Sequence, residues 1–315
     1  MGTAELSCAS LEKLAGGRDF LVAAVVTQPD KPKGRDLKLA PSPVKVLAEK
    51  LGLPVLQPAR ARDEHFIGQL RELKPDLLVV VAYGQILPQA ILDLAPHGCL
   101  NVHTSLLPKY RGAAPINWAI YHGETETGVT VIHMTPRIDA GPCIAQARVV
   151  IGPEETAGEL ERRLADMGAW LIRRTIDSLE AGQLEALPQD PALASSARRL
   201  KKSDGLIDWR RPGVAIRNQI RAFEPWPKTY TFWLRHDEPA VRMIFGPVAV
   251  VESVASALPG MVLEAAGSRL VIAAGEGAVM PRSVQPAGKR SQEIDEFLRG
   301  YRVQAGDRFG AEEGP

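Results

Sequence analysis

The sequence predicts an α/β protein: a Rossmann-like, mostly parallel sheet with helices on both faces, followed by a smaller OB-like β-barrel domain. Three observations predict it. Residues 20–27 (FLVAAVVT) and 76–83 (DLLVVVAY) are short apolar runs of the kind found in strands buried on both faces. Helical patterns alternate with such runs, as the crossovers of a parallel sheet require. Past residue 204 the texture changes to short β-like pieces punctuated by glycine and proline.

Taken in order, residues 4–15 carry Leu6, Leu11 and Leu14 near helical spacing, and the run 20–27 ends at Gln28-Pro29-Asp30. Residues 29–43 hold four prolines and a glycine and read as an irregular loop. Residues 43–51 and 63–73 look helical, with a short strand at 53–56. The run 76–83 is the strongest buried strand, and Gly84 follows it at once. A helix fits 88–94, strands fit 99–103 (CLNVH), 128–134 and 143–151, and a long amphipathic helix fits 156–182. The polar segment 183–204, with prolines at 188 and 191, reads as a linker. The domains expected are 1–185, a linker at 186–204, and 205–315. The last opens with a helical stretch before β-like pieces at 229–234, 241–244, 248–254, 260–263 and 269–273.

Composition bounds the function more by exclusion. The chain has 315 residues, 45% of them hydrophobic and 24% charged, as in ordinary soluble proteins. Cys8, Cys99 and Cys143 fit no zinc spacing, so no metal is expected, and so few cysteines suit a reducing cytoplasm. No apolar run approaches the ~18 residues of a spanning helix, and the first residues lack a secretory signal. Net charge is only +1, but its distribution is uneven. Between residues 198 and 235 stand ten Lys/Arg against three acids, with Trp209, Trp226, Tyr230 and Trp233 interleaved. Such a local excess suits a polyanionic partner.

Ligands of parallel sheets bind beyond the carboxyl ends of the strands, which points to the residues after Thr27, Tyr83 and Val102. There Asn101-Val102-His103 is the densest polar cluster, and strand alternation puts Asn101 and His103 on one side. An amide donor beside an imidazole suits acyl transfer to an amine: one stabilises a developing oxyanion, the other manages the proton. Asp139, in a turn-like segment between two strands, could orient that imidazole. Other templates fail. There is no G-x-G-x-x-G and no H-E-x-x-H, and 287–291 (AGKRS) only resembles the end of a phosphate loop.

The stretch 101–116 (NVHTSLLPKYRGAAPI), with Gly128-Val129-Thr130 and Asp139-Ala140-Gly141 downstream, resembles the signature of the folate-dependent formyltransferases. The resemblance implies Asn101, His103 and Asp139 as catalytic residues and 10-formyltetrahydrofolate as co-substrate. It implies Ser105, Leu106, Leu107 and Pro108 in the folate site, bordered by Tyr83, Gly84 and Leu87. Within that family, residues 27–35 (TQPDKPKGR) are similar to the loop by which members acting on initiator methionyl-tRNA contact their substrate. That implies tRNA contacts from Lys31, Lys33, Arg35 and Lys38. Residues 208–209 and 221–227, and later 284–289, are similar to the C-terminal domain of the same members, with Lys201 and Lys202 as further tRNA contacts. A monomer is expected. The alternatives are a formyltransferase acting on a sugar nucleotide or other small amine, and a hydrolase of the formyl donor. Relatives begin with a strand of which only Met1-Gly2-Thr3 is present here, so the start of the chain is expected several residues upstream.

Overall fold

The computed structural model describes residues 1–17, 19–33, 38–235, 238–252 and 257–311. By its contacts the chain forms two compact units, Met1–Ile116 with Glu126–Val150 and Glu159–Arg198, and Asn117–Thr125 with Ile151–Gly158 and Arg199–Pro315.

The first unit alternates helices and strands. Its elements are α1 (Leu6–Ala15), β1 (Val25–Val26), the small hairpin β2 (Lys31–Lys33) and β3 (Lys38–Ala40), α2 (Pro43–Lys50), β4 (Val55–Leu56), α3 (Glu64–Glu72), β5 (Leu78–Val80), α4 (Gln89–Leu92), β6 (Cys99–His103) and β7 (Arg111–Gly112). After α5 (Pro115–Tyr121), where the chain passes into the second unit, come β8 (Glu126–His133), β9 (Cys143–Val150), the long α6 (Ala157–Glu180) and β10 (Ser196–Ala197). Local chemistry sets several boundaries. Ser42 accepts the amide of Lys45 and Pro43 takes the first turn of α2, while Asp63 caps α3. Along α6, Leu160, Leu164, Leu171, Ile172 and Ile176 bury one stripe.

β1 pairs parallel to β4, and β5 parallel to β6; β8 and β9 then extend the sheet antiparallel. Helices cover both faces. Val25 packs with Val44 and Ala48 of α2, whereas its neighbour Val26 joins the cluster holding Phe66, Ile67 and Leu70 of α3. Between β1 and β5 lie only residues 1–3. The Gly2 amide donates to Val26 O (2.9 Å), the Val81 amide to Met1 O (2.9 Å), and the Met1 amine to Val79 O (2.7 Å). Burial pulls that amine down to about 6. Beside this rung is a cavity of about 660 Å³, lined by Leu11, Leu14, Val22, Ala24, Leu78 and Val79 among others.

The apolar run 20–27 pairs only at Val25 and Val26. Hydrophobicity marks a buried segment, but a ladder needs a partner backbone, and β4 offers two residues; Val22, Ala23 and Ala24 face the cavity instead. The segment expected to be a linker is tied into the first unit through Arg198. Leu187 exchanges two backbone hydrogen bonds with Cys143, and β10 lies parallel to β7.

The second unit opens with α7 (Gly213–Ala222), followed by β11 (Tyr230–Arg235), β12 (Glu238–Phe245), β13 (Val248–Val251), β14 (Val262–Ala266), β15 (Arg269–Ala273), β16 (Ala278–Pro281), β17 (Ser283–Pro286), β18 (Gln292–Glu293), α8 (Ile294–Gly300) and β19 (Arg308–Gly310). They form two antiparallel sheets, ordered β18-β17-β12-β11-β19 and β13-β16-β15-β14. Met243, Phe245 and Phe309 from one sheet and Val248, Ile272 and Val279 from the other share a single core with Trp209 and Ile216. A bridge between Met261 and Arg308 links the two sheets, giving a barrel-like enclosure.

Candidate active site

β6 is buried along its whole length, and its carboxyl end carries the site. Its register with β5 sets Val80 beside Asn101, so the segment leaving β5 and the loop leaving β6 emerge side by side from adjacent parallel strands. On the other flank His103 pairs with Thr130 of β8. The Thr130 hydroxyl donates to Ser105 O (2.7 Å) and accepts the Leu107 amide (3.1 Å), and Gln146 donates to Leu107 O (3.1 Å). Ser105 itself donates to Lys109 O (2.6 Å). The loop after His103 is therefore held by Thr130 of β8, Gln146 of β9 and its own Ser105.

Asp139 meets the strand tip from the turn between β8 and β9. Its Oδ1 accepts Asn101 Nδ2 (3.2 Å), its Oδ2 accepts the Gly112 amide (2.9 Å), and the same Oδ2 lies 3.6 Å from His103 Nδ1. His103 Nε2 is 2.8 Å from Tyr110 O. A carbonyl can only accept, so Nε2 carries the proton and Nδ1 is the nitrogen free to take one up beside the carboxylate. Asn101 and His103 are 9% and 6% exposed, so these polar groups interact in a desolvated setting where each contact is strengthened. Two backbone features bring the parts together. Asp139 itself sits at φ +48°, and a Cβ at Gly141 would fall 1.7 Å from His133 O, so only glycine lets the turn approach β8.

A cavity of about 520 Å³ adjoins the cluster, lined by Arg111, Gly112, Ile138, Ser195 and Ala197 among others. Among the described residues no group of three His, Cys, Asp or Glu is placed to hold a metal.

The other expected site residues divide by exposure. Ser105, Leu107, Tyr83 and Leu87 are buried, and Tyr83 and Leu87 pack in the core cluster with α3 and α4; Leu106 and Pro108 are half-buried and Gly84 is exposed. Leu106, Pro108, Gly84 and the exposed Ile86 keep accessible surface on the segments that follow β5 and β6. Lys31 donates to the Gln28 side chain and is exposed, as are Lys38, Lys201 and Lys202. Arg35 and the Lys33 side chain lie outside the described residues.

The basic stretch 198–235 is an open cationic surface only in part: Arg198, Arg199, Lys201, Lys202 and Arg210 are exposed, and the other five cations are not. Arg221 is 9% exposed and donates to Gly152 O (2.9 Å), Glu155 O (3.2 Å) and Asn218 Oδ1 (3.1 Å); burial lowers its pKa. Arg211 donates to the Tyr121 hydroxyl and lies over its ring, and Arg210, Arg217, Lys228 and Arg235 face acids. Trp209 and Trp233 belong to the core. A count of charge along a chain does not register which cations are consumed by folding.

Sequence reasoning missed Gln189, whose side chain donates to Asp139 O (2.9 Å) and Gly141 O (2.7 Å). It stands alone in a polar segment without periodicity, so no local signal marks it. It also missed Gln146 and the Tyr110 carbonyl, which act through contacts made only in the fold.

An amide, an imidazole and a carboxylate converge at a strand tip, an arrangement able to move a proton and to steady a developing oxyanion. Residues 3–176 match the formyl transferase family and residues 199–302 its C-terminal domain, so the chain belongs to the formyl transferases. It is 45% identical over 310 residues to methionyl-tRNA formyltransferase of Geobacter sulfurreducens, covering 98% of this chain and 95% of that protein. It is 45% identical over 311 residues to the protein of the same name from Moorella thermoacetica, covering 98% of each. Among solved structures, an N-formyltransferase from Helicobacter canadensis, bound to folinic acid and dTDP-3-aminofucose, has a similar fold. Its TM-score is 0.65 at 19% identity, over 90% of this chain and 97% of that one.

Proposed function

We propose that this protein transfers the formyl group of 10-formyltetrahydrofolate to the free α-amine of initiator methionyl-tRNA. The convergence of Asn101, His103 and Asp139 carries the reading, together with relatives of that name spanning both domains. The amine attacks the formyl carbon as its proton passes to His103 Nδ1. The formyl oxygen gains negative charge, which Asn101 and the protonated imidazole stabilise. His103 returns the proton to the departing folate nitrogen, and Asp139 supports the imidazolium. In this reading the folate is bound by the adjacent segments that leave β5 and β6, where Gly84, Ile86, Leu106 and Pro108 are accessible.

Lys31, Lys33, Arg35, Lys38, Lys201 and Lys202 are the tRNA contacts in this reading, and residues 205–315 the tRNA-binding domain. The protein acts as a monomer in the cytoplasm, where its substrate is made; no helix among the described residues is long and apolar enough to cross a membrane.

Incubation with 10-formyltetrahydrofolate and charged initiator tRNA tests the activity. Formyl-methionyl-tRNA is expected. Formylation of a dTDP-aminosugar in its place, or formate release without tRNA, would overturn the reading.

A further inference from the structure

The side chain of Gln189 uses all its hydrogen-bonding capacity on the two segments that position Asp139. Its Nε2 donates to Asp139 O (2.9 Å) and Gly141 O (2.7 Å), and its Oε1 accepts both Arg111 Nε (3.1 Å) and Nη2 (2.7 Å). A side-chain amide has two N–H donors and one oxygen with two lone pairs, so none is left over. Its orientation is fixed as well, because two carbonyls need a donor and a guanidinium needs an acceptor.

Each partner bears on the catalytic carboxylate. Asp139 occupies the left-handed region, at φ +48°, an uncommon conformation for a residue with a Cβ that persists only where its surroundings hold it. Gln189 grips the turn at Asp139 itself and two residues on. Arg111 precedes Gly112, whose amide donates to Asp139 Oδ2. The strand carrying both is held from behind by β10, through Arg111 N to Ser195 O (2.8 Å) and Ala113 N to Ala197 O (2.8 Å). Gln189 thus joins the backbone that bears the carboxylate to the strand that donates to it.

We infer that Gln189 is a positioning residue for formyl transfer, setting the distance and aim of Asp139 relative to His103 and Asn101. This rests on the activity proposed above. A carboxylate misplaced by about 1 Å can cost 10²-fold in rate, so loss of the clamp is expected to slow the chemical step while leaving substrate binding intact.

The test is steady-state formylation of methionyl-tRNA by the full chain carrying Gln189→Met or Gln189→Glu, each alone and combined with Asp139→Asn, with His103→Ala alongside. A carboxylate in place of the amide keeps the size and the acceptor for Arg111 but removes both donors, so Gln189→Glu serves if Gln189→Met does not fold. The expected result is a kcat lower by about 10- to 100-fold, with KM for folate and tRNA within about twofold and thermal midpoints close to wild type. In the Asp139→Asn background the Gln189 substitution adds little, since it acts through a group already disabled. Wild-type kcat in folded Gln189→Met or Gln189→Glu, or full additivity with Asp139→Asn, overturns the role of Gln189 while His103→Ala remains slow. Full activity in His103→Ala overturns the underlying reading, and the role of Gln189 with it.

Discussion

The tip of β6 and the basic stretch 198–235 are the two regions from which function is read, and they behave in opposite ways. At the tip, residues two apart on one strand share a face, and a carboxylate 36 positions beyond His103 closes on them through a glycine that alone permits the approach. In the basic stretch, half of the ten cations stay exposed, while Arg221 is buried and two of the four aromatics join the core. The difference lies in what each signal encodes. A strand motif specifies geometry, because alternation and register are obligatory. A local excess of charge specifies only a sum, and folding distributes it.

The contrast is broken most decisively at the tip. His103→Ala is expected to lower kcat about 10²- to 10⁴-fold, beyond any loss of stability from leaving Tyr110 O without this donor; single-turnover formylation by the folded protein measures it, and a small effect would remove the imidazole from the chemistry. In the basic stretch the largest effect is expected from a cation that does not meet solvent. Arg221→Ala should cost about 2–4 kcal/mol of stability by leaving two carbonyls without their charged donor. Denaturant unfolding reads this, and tRNA affinity per folded molecule should hold. Lys201→Glu with Lys202→Glu should do the reverse, leaving stability alone and flattening log-affinity against log-salt by about 0.9 per lost phosphate contact. Arg210→Ala, already committed to Asp208, should flatten it less.

The smallest effect concerns pH. Burial lowers the pKa of His133, at the end of β8, from its usual 6.5. The unfolded chain therefore takes up that proton first, and stability held above pH 6.5 declines as the pH falls below it. Thermal midpoints between pH 7 and 5 measure the decline, which His133→Gln should reduce; an equal decline in that variant would assign it to other groups.

Much of this architecture was legible in the chain. α6 and β6 fall where periodicity and alternation placed them, because a long amphipathic stripe and a buried run ending in polar residues each admit one arrangement. The extent of β1 was not legible, since the run 20–27 records burial and says nothing of which backbone lies alongside. Nor was the anchoring of 186–198, which carries no periodic apolar pattern and is held by backbone pairing to Arg111 and Gly112. Gln189 stands in that same stretch, so the residue that steadies Asp139 came from the least informative part of the sequence. Asn101, His103 and Asp139 were named from their motif, but the nitrogen of His103 that faces the carboxylate is known only once Tyr110 O is found on the other.

The rung formed by residues 1–3 has a practical consequence for anyone handling this protein. A Cβ at Gly2 would fall 2.7 Å from Ser7 Cβ and 3.0 Å from Val81 O, so any side chain introduced there would pry at the seam that joins the halves of the sheet. The strain would pass through β5 to the strand beside it, the scaffold that carries the site.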